Sequence, residues 1–159
     1  MILYHGSNVE VRIPDLSYSK PFKDFGCGFY LSADMQQAQR LAEQRTQMLK
    51  KGIATVSSFA FDENLLDGEE LKVKMFVEYC EEWAEFVVMN RNTELEHPVH
   101  YYDIVYGPIA DDGVTFQLRR YQAGSITMKE LIEELKYNQG ITFQYYFGTE
   151  LAISKLRYV

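Results

Sequence analysis

The sequence predicts one domain of mixed α and β structure, and three observations predict it. Its 159 residues suffice for one substantial hydrophobic core and are few for two. Segments rich in β-branched and aromatic residues are interleaved with segments of helical spacing. A hydrophobic content of 47% with 14% aromatics excludes a disordered chain.

Taken in order, Met1 to His5 predicts a short strand with Leu3 and His5 on one face and Ile2 and Tyr4 on the other. Residues 6–25 hold Gly6, Ser7, Asn8, Pro14, Asp15, Ser17, Ser19 and Pro21, the mixture of turn formers that predicts a long loop. From Asp34 to Lys51, Ala38, Leu41, Ala42, Met48 and Leu49 recur near helical spacing; Asp34 or Ser32 caps the start and Gly52 ends it. Ile53 to Phe61 and Leu71 to Phe76 predict strands. Glu78 to Arg91 predicts a helix whose stripe of Cys80, Trp83, Phe86 and Val87 is core material. Tyr101 to Tyr106 predicts a strand ending at Gly107-Pro108, followed by a helix around Gly113 to Tyr121. Thr127-Met128-Lys129-Glu130 matches a capping box and starts a helix to about Tyr137. Ile141 to Phe147 predicts the last strand, with Thr142, Gln144 and Tyr146 on its less apolar face, and Thr149 caps a closing helix.

The charge narrows the function classes. Residues 62–96 carry eleven acids against three bases, a local net of −8, and the remainder sums to +1. An acidic middle disfavours whole-surface nucleic-acid binding, which needs a basic face. The apolar runs are short and the N-terminus has no signal-like pattern, so the expectation is a cytoplasmic chain that meets no membrane, with Cys27 and Cys80 as free thiols. His97 and His100 have a spacing metals accept, but too few other ligand-type residues accompany them, and no metal is expected. Gly26-x-Gly28 lacks the third glycine of a dinucleotide fingerprint, position 31 being Leu31. Cys27 lies between two glycines with no evident orienting residue, which disfavours it as a nucleophile.

Three segments in order, Leu3-Tyr4-His5-Gly6-Ser7, Gly26-Cys27-Gly28-Phe29-Tyr30-Leu31-Ser32 and Thr142-Phe143-Gln144-Tyr145-Tyr146-Phe147, resemble the His-Tyr-Glu signature of the ADP-ribosyltransferase superfamily, the fold of diphtheria-type toxins and poly(ADP-ribose) polymerases. The resemblance implies an α+β domain spanning 1–159, its sheet split into two packed halves around an NAD cleft. It implies that NAD is the substrate and that ADP-ribose passes to a protein or nucleic-acid acceptor, or to water as in an NAD glycohydrolase. His5 would bond a ribose hydroxyl, Gly6 the carboxamide, and Tyr30 would stack on nicotinamide, with Ser7 and Gly28 beside them. Where relatives carry a second aromatic and a carboxamide-binding Ser, this chain has Leu41 and Ala38; Phe29, Tyr18 or Phe22 stands in for the ring and Ser32 for the hydroxyl. The catalytic Glu is replaced by Gln144. A unit charge near 4 Å at an effective dielectric of about 20 is worth roughly 4 kcal/mol, about a thousandfold in rate. Glu150, six residues on, is the alternative carboxylate. The competing reading is a non-catalytic module that binds NAD or a protein, as in a toxin and antitoxin pair. The stretch Tyr102 to Asp112 serves either acceptor recognition or plain strand-turn structure.

Overall fold

The computed structural model describes residues 1–137 and 140–159 and is an α+β fold with two sheets and five helices. The elements are β1 (Ile2–Ser7), β2 (Phe29–Leu31), α1 (Met35–Leu49), β3 (Thr55–Ala60), β4 (Val73–Met75), α2 (Glu81–Asn90), β5 (Ile104–Pro108), α3 (Asp112–Gln122), α4 (Met128–Lys136), β6 (Phe143–Phe147), α5 (Glu150–Ile153) and β7 (Arg157–Tyr158). The first sheet has the order β1-β3-β7 and the second β2-β6-β5-β4, antiparallel throughout except for the β4/β5 pair.

Period-two alternation sorts the second sheet's side chains into two cores. Phe29, Leu31, Ile104, Tyr145 and Phe147 pack with Leu3 and Phe59 of the first sheet. Val105 and Tyr146, from the opposite face, pack with Trp83 and Val87 of α2, Val114 and Leu118 of α3, and Leu131 and Leu135 of α4. The outer face of the first sheet is covered by α1, whose buried face consists of Ala38 and Ala42. Gly6 admits this close approach: a Cβ there would lie 1.9 Å from the Ala38 carbonyl oxygen. The layers therefore run helix, sheet, sheet, helices.

Asp34 caps α1 and Lys50 ends it in the left-handed conformation. Both halves of the Thr127–Glu130 capping box are present. Several boundaries differ from the sequence expectation. β5 closes on Gly107 and Pro108, paired with Gln144 and Phe143 of β6, because a proline at a strand end gives up little of the ladder, but it starts only at Ile104. The first residues of Ile53–Phe61, Leu71–Phe76, Glu78–Arg91 and Ile141–Phe147 lie outside their elements, and β2 and β7 are strands that the pattern did not predict. Among the described residues no helix is long and apolar enough to cross a membrane.

Candidate functional site

The two sheets meet at their edges, where β1 and β2 are joined by Tyr4 and Ser32, each donating its N–H to the other's carbonyl at 2.8 Å. Beside this junction opens a cleft of about 370 Å³ lined by His5, Ser7, Gly28, Phe29 and Tyr30 from the two resembling motifs, with Tyr18, Lys23 and Arg45 among its other walls. The volume lies within the range of small-molecule sites. Gly6, Ser32, Gln144 and Glu150 are not among the lining residues.

His5 reaches the cleft from the inner face of β1. Its ring stacks on Phe29 with centroids 4.3 Å apart. Nδ1 lies 2.7 Å from the Tyr30 carbonyl oxygen, which only accepts, so Nδ1 bears the proton and the neutral ring keeps Nε2 as an acceptor. Burial, opposed by the bond to Tyr30 and helped by the charges of Arg45 and Lys23, lowers its pKa to about 4. His5 is thus neutral at pH 7. Because the folded value lies below the ordinary 6.5, the unfolded chain binds the proton more readily, and stability falls as pH drops from about 6.5 to about 4. A shift of that size corresponds to roughly 3 kcal/mol. Urea unfolding of the parent and of His5→Gln across that range should show the variant losing less stability on acidification; parallel curves would refute it.

Tyr30 projects from the opposite face of β2. Its hydroxyl donates to the Gly26 carbonyl at 2.7 Å and accepts from the Phe25 N–H at 3.1 Å, closing the turn that precedes β2. Burial raises its pKa well above the ordinary value, so it stays protonated. The Tyr146 ring meets it edge-on at 5.4 Å, and the Lys23 ammonium sits 4.9 Å from its centroid. Gly28 lets the turn lie on Tyr146, since a Cβ would come within 2.2 Å of that ring.

Lys23 and Arg45 are the residues that sequence reasoning missed. Arg12 pairs with Glu10 at the cleft's rim, but among the described residues neither Lys23 nor Arg45 forms an ion pair. Burial, then the nearby Arg45, lowers the Lys23 pKa. Two cations held together in a half-buried cleft favour an anion. Arg45 gives little signal in the sequence, since it is a polar residue of an amphipathic helix.

Gly6 has its peptide group at the same junction. In the antiparallel β1/β3 ladder alternate residues turn their N–H and C=O toward the partner strand. Tyr4 turns both toward Ser32, so Gly6, two residues on, directs its own to that edge and away from β3. The Ser32 hydroxyl accepts from the Asp34 N–H at 2.9 Å and serves the start of α1. Gln144 shares a sheet face with Tyr30 but is committed elsewhere: its Nε2 donates to Asp24 Oδ2 at 3.0 Å. Asp24 also accepts from Arg91 Nε at 2.9 Å and from the Ala110 N–H at 3.0 Å. Glu150 is exposed in the first turn of α5. Of the stand-in aromatics, Tyr18 and Phe29 line the cleft, and Phe22 lines a different pocket.

His100 is fully engaged, with Nε2 2.7 Å from the Phe25 carbonyl oxygen and Nδ1 accepting from the Tyr102 N–H at 3.1 Å. Cys27 is exposed, and Cys80 caps α2. Residues 1–158 match a family described as Protein of unknown function (DUF3990). No curated protein and no solved structure matches the chain.

Proposed function

The chain belongs to the DUF3990 family, and we propose that within it this protein binds NAD at the β1/β2 junction and transfers ADP-ribose to an acceptor, with release of nicotinamide. The observation that carries the reading is the meeting in one cleft of His5, Ser7, Gly28 and Tyr30 with the two cations Lys23 and Arg45. NAD supplies what these groups lack. Its pyrophosphate suits the cations, a ribose hydroxyl donates to His5 Nε2, and its carboxamide pairs with the Gly6 peptide group. The Lys23 ammonium over the Tyr30 ring marks a position attractive to positive charge, which the nicotinamide ring takes as Lys23 turns to phosphate. In the chemical step the glycosidic carbon–nitrogen bond breaks and nicotinamide leaves with the electron pair. An oxygen or nitrogen of the acceptor then bonds to the ribose carbon and gives up its proton. Protein, nucleic acid and water all supply such a nucleophile.

A specific observation favours a second reading, a module that binds NAD without turning it over, as one half of a toxin and antitoxin pair would. Gln144, at the position of the catalytic carboxylate, is neutral and bonded to Asp24.

Calorimetric titration with NAD, run beside chromatographic detection of nicotinamide, tests both. NAD is expected to bind, and Lys23→Ala with Arg45→Ala is expected to weaken it by about 10- to 100-fold, the worth of one or two charge-assisted hydrogen bonds. Release of nicotinamide by the parent supports transfer or hydrolysis, and binding without release supports the second reading. No binding at millimolar NAD, or unchanged affinity in the double variant, overturns both.

A further inference from the structure

A second cavity of about 380 Å³ lies across the Gly26–Gly28 turn, with Gly26 and Cys27 in its wall and the tail of α2 and residues 95–102 around it. It shares no lining residue with the NAD cleft. Its walls include the rings of Phe22, Tyr101, Tyr102 and Tyr146 and the imidazoles of His97 and His100. Its lining includes Glu96 and no Lys or Arg.

Three features specify the occupant. Asn90 is 6% exposed, and its Nδ2 donates to the Phe86 carbonyl at 2.8 Å, so the amide oxygen is what it offers a ligand in the cavity. His100 adds no positive charge. Nδ1 accepts from the Tyr102 N–H and so carries no proton, Nε2–H donates to Phe25, and burial lowers the pKa. Tyr101 and Phe22 leave ring surface exposed, 75% and 42%. Acceptors, a carboxylate and neutral ring faces without a resident cation suit a planar, donor-rich cation.

We propose that this cavity binds the guanidinium of an arginine side chain presented by a basic protein partner. The guanidinium lies against the rings, donates to the Asn90 amide oxygen and faces Glu96. The acidic segment 62–96, which contributes Glu96 to the lining, draws a basic chain and repels a polyanion. The inference does not rest on NAD chemistry.

The test is fluorescence anisotropy with a labelled hexapeptide of alternating glycine and arginine, against the same peptide with citrulline or lysine in place of arginine. Citrulline keeps the shape and loses the charge; lysine keeps the charge and loses the plane. The arginine peptide should bind best and weaken with salt. Tyr101→Ala should weaken it by about three- to thirtyfold and Glu96→Gln by about two- to fivefold, with Tm unchanged. Glu81→Gln, in the acidic segment but outside the cavity, should have no effect. Equal binding of citrulline, equal loss from Glu81→Gln and Glu96→Gln, or no binding at millimolar peptide would overturn the proposal. So would binding of a mixed-base oligonucleotide displaced by Tyr101→Ala, which would assign the rings to a nucleobase. Since NAD is absent from the assay, failure here leaves the NAD reading standing.

Discussion

Asp24→Ala is expected to lower the unfolding free energy by about 3–5 kcal/mol, the usual cost of removing one partner from a buried ion pair. Asp24 is 8% exposed and accepts from Arg91, from the Ala110 N–H and from the Gln144 amide. It thereby ties the turn before β2 to the end of α2, to the segment after β5 and to β6. Truncation leaves the Arg91 guanidinium without its counter-charge and the Ala110 N–H and Gln144 amide without their acceptor. Arg91 keeps 27% of its side chain exposed and also donates to Thr115 and the Ala110 carbonyl, which holds the loss toward the lower end. Glu10→Ala, at an exposed pair with Arg12, should cost far less, because solvent screens an exposed pair. Denaturant unfolding at pH 7 compares the two; an Asp24→Ala loss below about 1 kcal/mol would show that the network does not hold these segments together.

The second large effect concerns Gln144→Glu. On the resemblance alone, the new carboxylate restores the missing charge and raises nicotinamide release by up to about a thousandfold. The geometry redirects that expectation. Gln144 donates to Asp24 across 3.0 Å, so a Glu there sets two carboxylates face to face. Two charges at that distance with an effective dielectric of about 20 repel by roughly 5 kcal/mol. The pair avoids this by keeping one proton. Holding a carboxyl proton at pH 7 against an ordinary pKa near 4.3 costs about 4 kcal/mol, less what Arg91 relieves. The sign follows from a folded pKa raised above the unfolded one. The penalty is full above the folded value, shrinks as pH falls through it, and is gone below the unfolded value. Gln144→Glu should therefore be less stable than the parent at pH 7 and converge on it toward pH 4. The retained proton also cancels the added charge, so any gain in nicotinamide release should fall well short of a thousandfold. Native stability at pH 7 together with a thousandfold gain would mean that the side chain leaves Asp24 and works in the cleft.

Local physics made much of this architecture legible. The Thr127–Glu130 capping box forms because its donors and acceptors lie within four residues of one another. Asp34 caps α1 for the same reason, and the alternation in β1 and β6 already assigned Leu3 and His5 to one face and Gln144 and Tyr146 to another. The motifs that suggested a site were readable too, and five of their residues share one cleft. Other features had no local signature. With three residues, β2 is too short for its period to be counted, and it exists because β6 supplies its partners. The two residues of β7 depend in the same way on β3.

The charges around the site belong to the tertiary structure alone. Asp24 lies in a stretch read as loop, and its worth comes from Arg91, Ala110 and Gln144, distant in sequence. Arg45 joins Lys23 only because Gly6 and the small face of Ala38 and Ala42 bring α1 down onto β1. The sequence by itself determined the mixed class, most of the elements, and the faces on which His5 and Gln144 stand, since these follow from period and caps. Which charges meet, which glutamine is already engaged and where the cleft opens were decided by packing, because these depend on groups that the chain separates and only the fold brings together.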